Sequence, residues 1–346
     1  MIVISVGTSS LGGEEMANPW LLISTFGGAE PTLIGQGNQP KSFVPLDRVF
    51  RSRRTVSTAL LEVQQLVLDM INRPSPIDHT ATSGSRMAAM PLLNSEGRLH
   101  GLQLWRGSVD ETPPDRDPVG AWHFNLTLGQ ASGSDDLFDL YRVAEKDRRS
   151  TVAQAGAFTR LKTNLDEGEA LAKILRSEPG TEHQAVWTVV RDDGEERAAH
   201  FSCRMLREGE HVILRGLTHD IGPAASAHVA AQAPVVLEHR IVETKLRPGE
   251  HLAYVDLRRL QLVKWRGEPM PGIAWENLPG QPTPGIHPDD VPVARRMVDD
   301  LAHRSTSGEI RFRALDGTWR LVHLEVSLMM FDQHTTGGLV TARFAE

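Results

Sequence analysis

Four features of this sequence could take part in chemistry: a pair of adjacent carboxylates, scattered histidines, one thiol and one glycine-rich loop. Asp289 and Asp290 follow His287 in the segment HPDD, and neighbouring carboxylates can serve in acid–base catalysis. Short acidic residues ahead of an apolar helical pattern also accept hydrogen bonds from free amides and interact favourably with the helix dipole. We therefore interpret both aspartates as the start of a helix, with His287 hydrogen-bonded there.

Other chemical motifs are incomplete. Residues 7–13 have the glycine spacing of a phosphate-binding loop, but Gly13 occupies the position where a lysine must reach the phosphates. The 14 histidines are scattered, and no pair has ligand spacing with a carboxylate as third partner. The signature motifs of metalloproteases, α/β-hydrolases and kinases do not occur in the sequence. The sequence therefore predicts no catalytic residue and no metal site, and it leaves the identity of any cofactor open.

Composition narrows the class of protein further. A net charge of -7 and a pI near 6.1 argue against a nucleic-acid partner, which would need a concentrated basic face. The dense basic run at Arg51–Arg54 is interpreted as a solvated loop rather than an anion site. The single cysteine, Cys203, excludes an intramolecular disulfide, and its place in an alternating pattern predicts a buried core residue.

No apolar run approaches the ~20 residues needed to cross a bilayer, so we expect no membrane insertion and a cytoplasmic location. Residues 1–17 are rich in Gly and Ser and predict a flexible N-terminal extension, within which Met16 is an alternative start. With 346 residues, two or three domains are expected.

The elements that would position a site are clearest between His287 and Met330, where a helical pattern precedes a hairpin. A two-residue loop would place Arg313 opposite Arg320, which is an unfavourable pair of like charges. A three-residue loop ending in a left-handed Gly317 instead sets Ala314 against Thr318 and brings all the apolar residues to one face. The same register places Ile310 opposite Val322, Arg313 beside Trp319, and Glu309 beside His323.

Similar hairpins with an acidic residue and a glycine in the turn occur at Gly97 and Gly194, so the three turns indicate an approximate internal repeat. Each repeat is expected to be an antiparallel sheet with helices on it. Pro- or Ala-rich stretches at 107–118 and 222–234 separate the repeats and predict linkers.

Two helices can be predicted with their packing. The helix over Thr55–Asn72 has an apolar stripe, and Leu61 and Leu68, seven residues apart, are expected to widen its buried face; a dimer seam is the alternative. The helix over Leu165–Ser177 begins with Asn164 and Glu167 at the spacing of a capping box.

The order HPDD, helix, ExRxR strand (Glu309 to Arg313), DGxW turn (Asp316 to Trp319) and long strand resembles the C-terminal half of a PAS sensor domain. In that resemblance, WENLP at Trp275–Pro279 is a helical turn. The long helix followed by the hairpin of residues 86–106 resembles the latter part of a GAF domain. From Asn18 onward, the chain resembles a group of mycobacterial and related actinobacterial proteins with one GAF-like and two PAS-like domains and no effector.

This resemblance implies an α+β protein with three tandem sensor domains. The divisions are the extension at 1–17, a GAF-like domain at 18–106, a linker at 107–118, a PAS-like domain at 119–221, a linker at 222–234 and a PAS-like domain at 235–346.

The function expected is that of a non-enzymatic sensor or scaffold in signal transduction, which binds a small molecule, one or more protein partners, or both. A pocket would lie between a sheet and its covering helices, with Trp187, Trp275 and His287 as candidate ligand-binding residues. Two alternatives remain open: a small-molecule enzyme that uses a PAS-like or GAF-like cavity, and a homodimeric interaction module built on the Thr55–Asn72 helix.

Overall fold

The computed structural model describes residues 18–26, 30–50, 57–162, 164, 166–225 and 246–345. It contains three mostly antiparallel sheets with few helices. The predicted extension at 1–17, the basic run at Arg51–Arg54 and most of the predicted linker at 222–234 lie outside the described residues. In the part of the chain that is described, no helix combines the length and the apolar character needed to span a bilayer.

The first sheet has the strand order β3-β2-β1-β6-β5-β4. Its strands are β1 Leu21–Ser24, β2 Thr32–Gln36, β3 Gln39–Pro45, β4 Ile77–Thr80, β5 Arg86–Leu93 and β6 Leu99–Gly107. The short helix α1 (Leu46–Val49) and the longer α2 (Thr58–Asn72) both lie between β3 and β4. Each sheet, together with the helices in its connections, is called a domain below. The Ser57 hydroxyl accepts from the Leu60 amide at 3.1 Å and caps α2.

The second sheet has the order β10-β11-β12-β7-β8-β9. Its strands are β7 Val119–Asn125, β8 Gln130–Gly133, β9 Val152–Ala153, β10 Glu182–Val190, β11 Glu196–Glu208 and β12 His211–Pro223. Helices α3 (Asp135–Leu140) and α4 (Glu167–Arg176) and a short 3-10 helix (Gln154–Phe158) lie in the connections between its strands.

The third sheet has the order β14-β13-β17-β16-β15. Its strands are β13 His251–Asp256, β14 Gln261–Arg266, β15 Thr306–Arg313, β16 Trp319–Met330 and β17 Thr336–Phe344, and helix α5 (Val291–Asp300) precedes β15. The predicted register of the β15–β16 hairpin is confirmed, with Ile310 opposite Val322 and Arg313 opposite Trp319. The Arg313 guanidinium lies 3.7 Å from the centre of the Trp319 ring.

The three sheets repeat one strand order. In each, the first and last strands of the domain pair at the centre of the sheet, as β1–β6, β7–β12 and β13–β17. The predicted repeat of the glycine turns is wrong in one respect. Gly194 and Gly317 join equivalent strands, but Gly97 joins β5 to β6, one hairpin later in the order. The equivalent turn of the first domain contains Gly84, with φ of +82°.

Two predicted packing details are wrong. Leu61 and Leu68 of α2 are 56% and 54% exposed, so they do not widen the buried face. The capping box at α4 is not formed, because the Asn164 side-chain amide donates to the Val186 carbonyl and the Glu167 carboxylate turns toward the third domain. Leu165, where the prediction began the helix, lies outside the described residues.

The start of α5 also differs from the prediction. Asp290 makes no side-chain cap on the helix; its carboxylate instead accepts from the amide and guanidinium of Arg311 on β15 at 2.7–2.8 Å. The His287 ring accepts from the Asp289 amide at 3.2 Å, which is the contact expected of a residue at a helix start.

The domains are joined by buried side chains. Leu22 and Ile34 of the first sheet, and Phe26 just after β1, pack with Val119 and Leu217 of the second sheet. Tyr254 and Val263 of the third sheet belong to the core cluster of the second domain. Residues 108–118 form no helix or strand, yet they are held against the first sheet, since Trp20 Nε1 donates to the Pro114 carbonyl at 2.7 Å.

Candidate functional site

A cavity of about 410 Å³ lies between the inner face of the second sheet and the helices that cover it. Its walls are largely aromatic, and the rings that line it are Trp122, Phe124, Phe138, Tyr141, Phe158, Trp187 and Phe201. Strand periodicity produces this wall, because alternate residues of β10 point to one face of the sheet. A cavity of this volume with apolar walls is typical of a site for a small organic ligand.

One pole of this second-domain cavity is polar. Lys173, in the last turn of α4, and His183, at the start of β10, both line it. Lys173 Nζ lies 3.1 Å from His183 Nδ1 and 2.7 Å from Glu169 Oε1. Burial, together with the positive charge of Lys173, lowers the pKa of His183, which favours the neutral imidazole.

Burial keeps two further ionisable groups of this cavity protonated at neutral pH. Burial raises the pKa of the Tyr141 hydroxyl to about 12 and that of the Cys203 thiol to about 12. Cys203 is buried, as its strand pattern predicts. Burial also raises the pKa of Glu276, a residue of the third domain that reaches this cavity.

A second cavity of about 390 Å³ lies inside the third domain. Its walls are almost entirely apolar, and Trp265 and Trp275 stand nearly perpendicular to each other, with ring centres 6.3 Å apart. The Trp265 indole nitrogen is buried and has no hydrogen-bond partner among the described residues. An unsatisfied buried donor is unfavourable, and a ligand acceptor would satisfy it.

The two cavities have a wall in common. In the segment Trp275–Leu278, Trp275 and Asn277 line the third-domain cavity, whereas Glu276 and Leu278 line the second-domain cavity. Strand β8 is divided in the same manner, since Gln130 faces one cavity and Ala131 the other. Residues 275–279 form no helix and have a bend at Glu276, so the helical turn predicted for WENLP is wrong. Along residues 275–278, odd-numbered residues line one cavity and even-numbered residues line the other.

The three candidate residues from the sequence lie in different surroundings. Trp187 lines the second-domain cavity, and its indole donates to Asp166 Oδ1 at 2.7 Å. Trp275 lines the third-domain cavity. His287 lines neither of them; its ring packs edge-on against Trp319, with centres 4.7 Å apart. In the part of the chain that is described, no group of His, Cys, Asp or Glu could hold a metal ion.

Two family models match this chain. The N-terminal model of the Rv3651-like family matches residues 19–115, and the C-terminal domain model of the same family matches residues 235–346. Together the matches span more than half of the chain. The chain belongs to the Rv3651-like family. No protein with a curated description matches it.

Among solved structures, an uncharacterized protein from Mycobacterium tuberculosis has a TM-score of 0.80 at 24% identity, over 95% of this chain and 96% of that one. This likeness shows that the two proteins share a fold. A sensory box histidine kinase/response regulator from Burkholderia thailandensis E264 gives a TM-score of 0.26 at 15% identity, over 31% of this chain and 79% of that one. An RNA-binding light-oxygen-voltage receptor gives 0.26 at 9% identity, over 65% and 95%.

Sequence reasoning missed the polar pole of the second-domain cavity in this Rv3651-like protein. A usable signal existed for His183, which has the same parity on β10 as the inward residues Ala185, Trp187 and Val189. No local signal identified Glu276, because its carboxyl reaches a cavity built by another domain.

Proposed function

We propose that this protein is a non-enzymatic sensor that binds small, largely apolar molecules in its second and third domains and transmits their binding to a partner protein. The observation that carries the proposal is the pair of cavities with a common wall. Any movement of the segment that lines both cavities changes the shape of both. We therefore expect ligand binding in either domain to alter the protein surface that a partner protein contacts.

In this proposal the first domain is GAF-like, and the second and third are PAS-like. The repeated strand order, with the first and last strands of each domain paired at the centre, supports three copies of one architecture. The HPDD and DGxW motifs support the assignment of the third domain. Asp290 of HPDD is bound to Arg311 of the ExRxR strand, which ties the helix start to the hairpin.

The ionisation state of the cavity supports a binding role rather than catalysis. Cys203 and Tyr141, with pKa values raised to about 12, offer no thiolate or phenolate at neutral pH. His183 and Glu276 have perturbed pKa values, as an acid–base pair would. However, the two side chains make no hydrogen bond or ion pair with each other among the described residues, since His183 Nδ1 is engaged by Lys173.

Native mass spectrometry of the full-length protein tests the proposal. The expected result is an additional non-covalent mass, either co-purified or acquired from a library of small hydrophobic molecules. Two matched variants assign the site: Ala185→Trp fills the second-domain cavity and Ala253→Phe fills the third-domain cavity. Each variant should lose ligands of its own cavity. Ligand masses that persist when both cavities are filled would contradict the proposal, as would a library without a single binder.

A further inference from the structure

The hydrogen-bond geometry at the polar pole of the second-domain cavity determines which ring nitrogen of His183 carries a proton. A lysine ammonium can only donate, so Nδ1, which lies 3.1 Å from Lys173 Nζ, must accept. In the neutral imidazole the remaining proton then resides on Nε2. The pole therefore presents an N–H donor.

This Nε2–H is buried and has no hydrogen-bond partner among the described residues. Two of the three N–H bonds of the adjacent Lys173 are directed at Glu169 and His183, which leaves the third for a ligand. The pole thus combines an unsatisfied donor with a cation. Its requirement is an acceptor that carries negative charge.

The remainder of the cavity defines the rest of the ligand. Its walls are largely aromatic, Asp147, Arg149 and Arg160 also line it, and the carboxyl of Glu276 lies near Gly156. We expect a ligand with one anionic end to place that end at His183, where an N–H donor has no partner among the described residues. The rings of Trp187 and Phe201, with centres 5.8 Å apart, would contact its apolar body.

We propose that the second-domain cavity binds a carboxylate with an aromatic or hydrophobic body, whose oxygen accepts a hydrogen bond from His183 Nε2. This inference rests on the proposed function and specifies the class of ligand for one of its two cavities. The third-domain cavity, whose orphan donor is the neutral indole of Trp265, has no cation in its lining and is expected to lack this preference.

The test compares two probes that differ only at the polar end, naphthylacetate and naphthylethanol, by isothermal titration calorimetry on the full-length protein. We expect naphthylacetate to bind about tenfold more tightly, because a hydrogen bond to a charged acceptor is stronger than one to a neutral acceptor. His183→Phe should bring the ratio of the two affinities close to one. His303→Phe, the matched control at an exposed position that lines neither cavity, should leave it unchanged.

Lys173→Met provides a second route if His183→Phe does not fold, and it should also lower the ratio, because it removes the charge that orients the imidazole. Ala185→Trp should abolish binding of both probes at this cavity. Equal affinities of the two probes for the unmodified protein would overturn the assignment to carboxylates while leaving the proposed binding function intact. A failure of both probes to bind would overturn the inference and count against the proposed function of this cavity.

Discussion

Trp275 and Glu276 are adjacent in the chain, yet their side chains line two different cavities. The backbone that joins them therefore forms part of the wall of both cavities. We expect a change in either side chain to displace the backbone that both cavities share, which makes this peptide the most direct place to test coupling between the two cavities.

We expect Trp275→Ala to weaken binding of naphthylacetate in the second-domain cavity by roughly fivefold or more, the lower end of typical coupling between sites. The indole packs against Trp265, and its loss leaves the segment that holds Glu276 and Leu278 less well fixed. Calorimetry measures the change. Val298→Ala, which alters the third-domain cavity from α5 and not from the common wall, should leave the affinity unchanged. Equal effects of the two variants would contradict the coupling.

Stability should fall as the pH is lowered below about 6.5, because buried histidines resist protonation only in the folded protein. Burial lowers the pKa of His100 to about 3 and that of His200 to about 4. Between those values and about 6.5 the unfolded chain binds more protons. Each residue then reduces the free energy of unfolding by about 1.4 kcal/mol per pH unit well below its unfolded pKa.

The measurement is urea unfolding at a series of pH values from neutral to mildly acidic. His100→Asn retains a donor for the Gly216 carbonyl, which lies 3.3 Å from His100 Nδ1, and should reduce the slope of stability against pH. Neighbouring His123 and Arg215 disfavour the same protonation by their charge. His303→Asn, at an exposed position, should leave the slope unchanged. A stability that rises on acidification would contradict this account.

The buried ion pair between Glu167 of α4 and Lys264 of β14 should be costly to break from one side. We expect Glu167→Ala to destabilise the protein by about 3–5 kcal/mol, since it leaves the Lys264 charge buried without its partner. Replacing both residues with methionine should restore part of that loss, because the Lys264 charge is removed while Arg266 still loses its contact at 3.5 Å with the Glu167 carboxylate. Thermal and urea unfolding measure both variants. If the double variant were less stable than Glu167→Ala, the pair would contribute more than the mutual compensation of two charges.

Helix α2 offers a matched pair of substitutions for stability. Met70 is 0% exposed and Leu68 is 54% exposed. Met70→Ala should cost about 2–5 kcal/mol through the lost transfer energy and the cavity left behind. Leu68→Ala should change the free energy of unfolding by less than about 0.5 kcal/mol. Chemical denaturation of the two variants decides the point, and similar losses would show that the exposed leucine is covered in solution by another surface.

The parts of the fold that could be predicted from sequence are those governed by short-range rules. The β15–β16 register follows from one left-handed glycine, Gly317, and from the avoidance of like charges between Arg313 and Arg320. The burial of Cys203 follows from alternation along its strand.

The wrong predictions involve partners that are distant in sequence. Glu167 matched a local capping rule, but its carboxylate binds Lys264, on a strand of the next domain. Asp290 matched a helix-start rule, but Arg311 offers it two charged hydrogen bonds. No helix forms at Trp275–Pro279, where residues 275–278 line two cavities in alternation. In each case the tertiary arrangement prevailed over a local preference.

The contribution of Tyr254 and Val263 to the hydrophobic cluster around Trp187 has a consequence for how the protein comes apart. A predicted linker separates residues 119–221 from residues 235–346 in the sequence, but we expect the two regions to unfold cooperatively. Expressing the two regions as separate fragments would expose apolar surface on both. We therefore expect them to unfold in a single thermal transition, and to fold stably only as parts of one polypeptide.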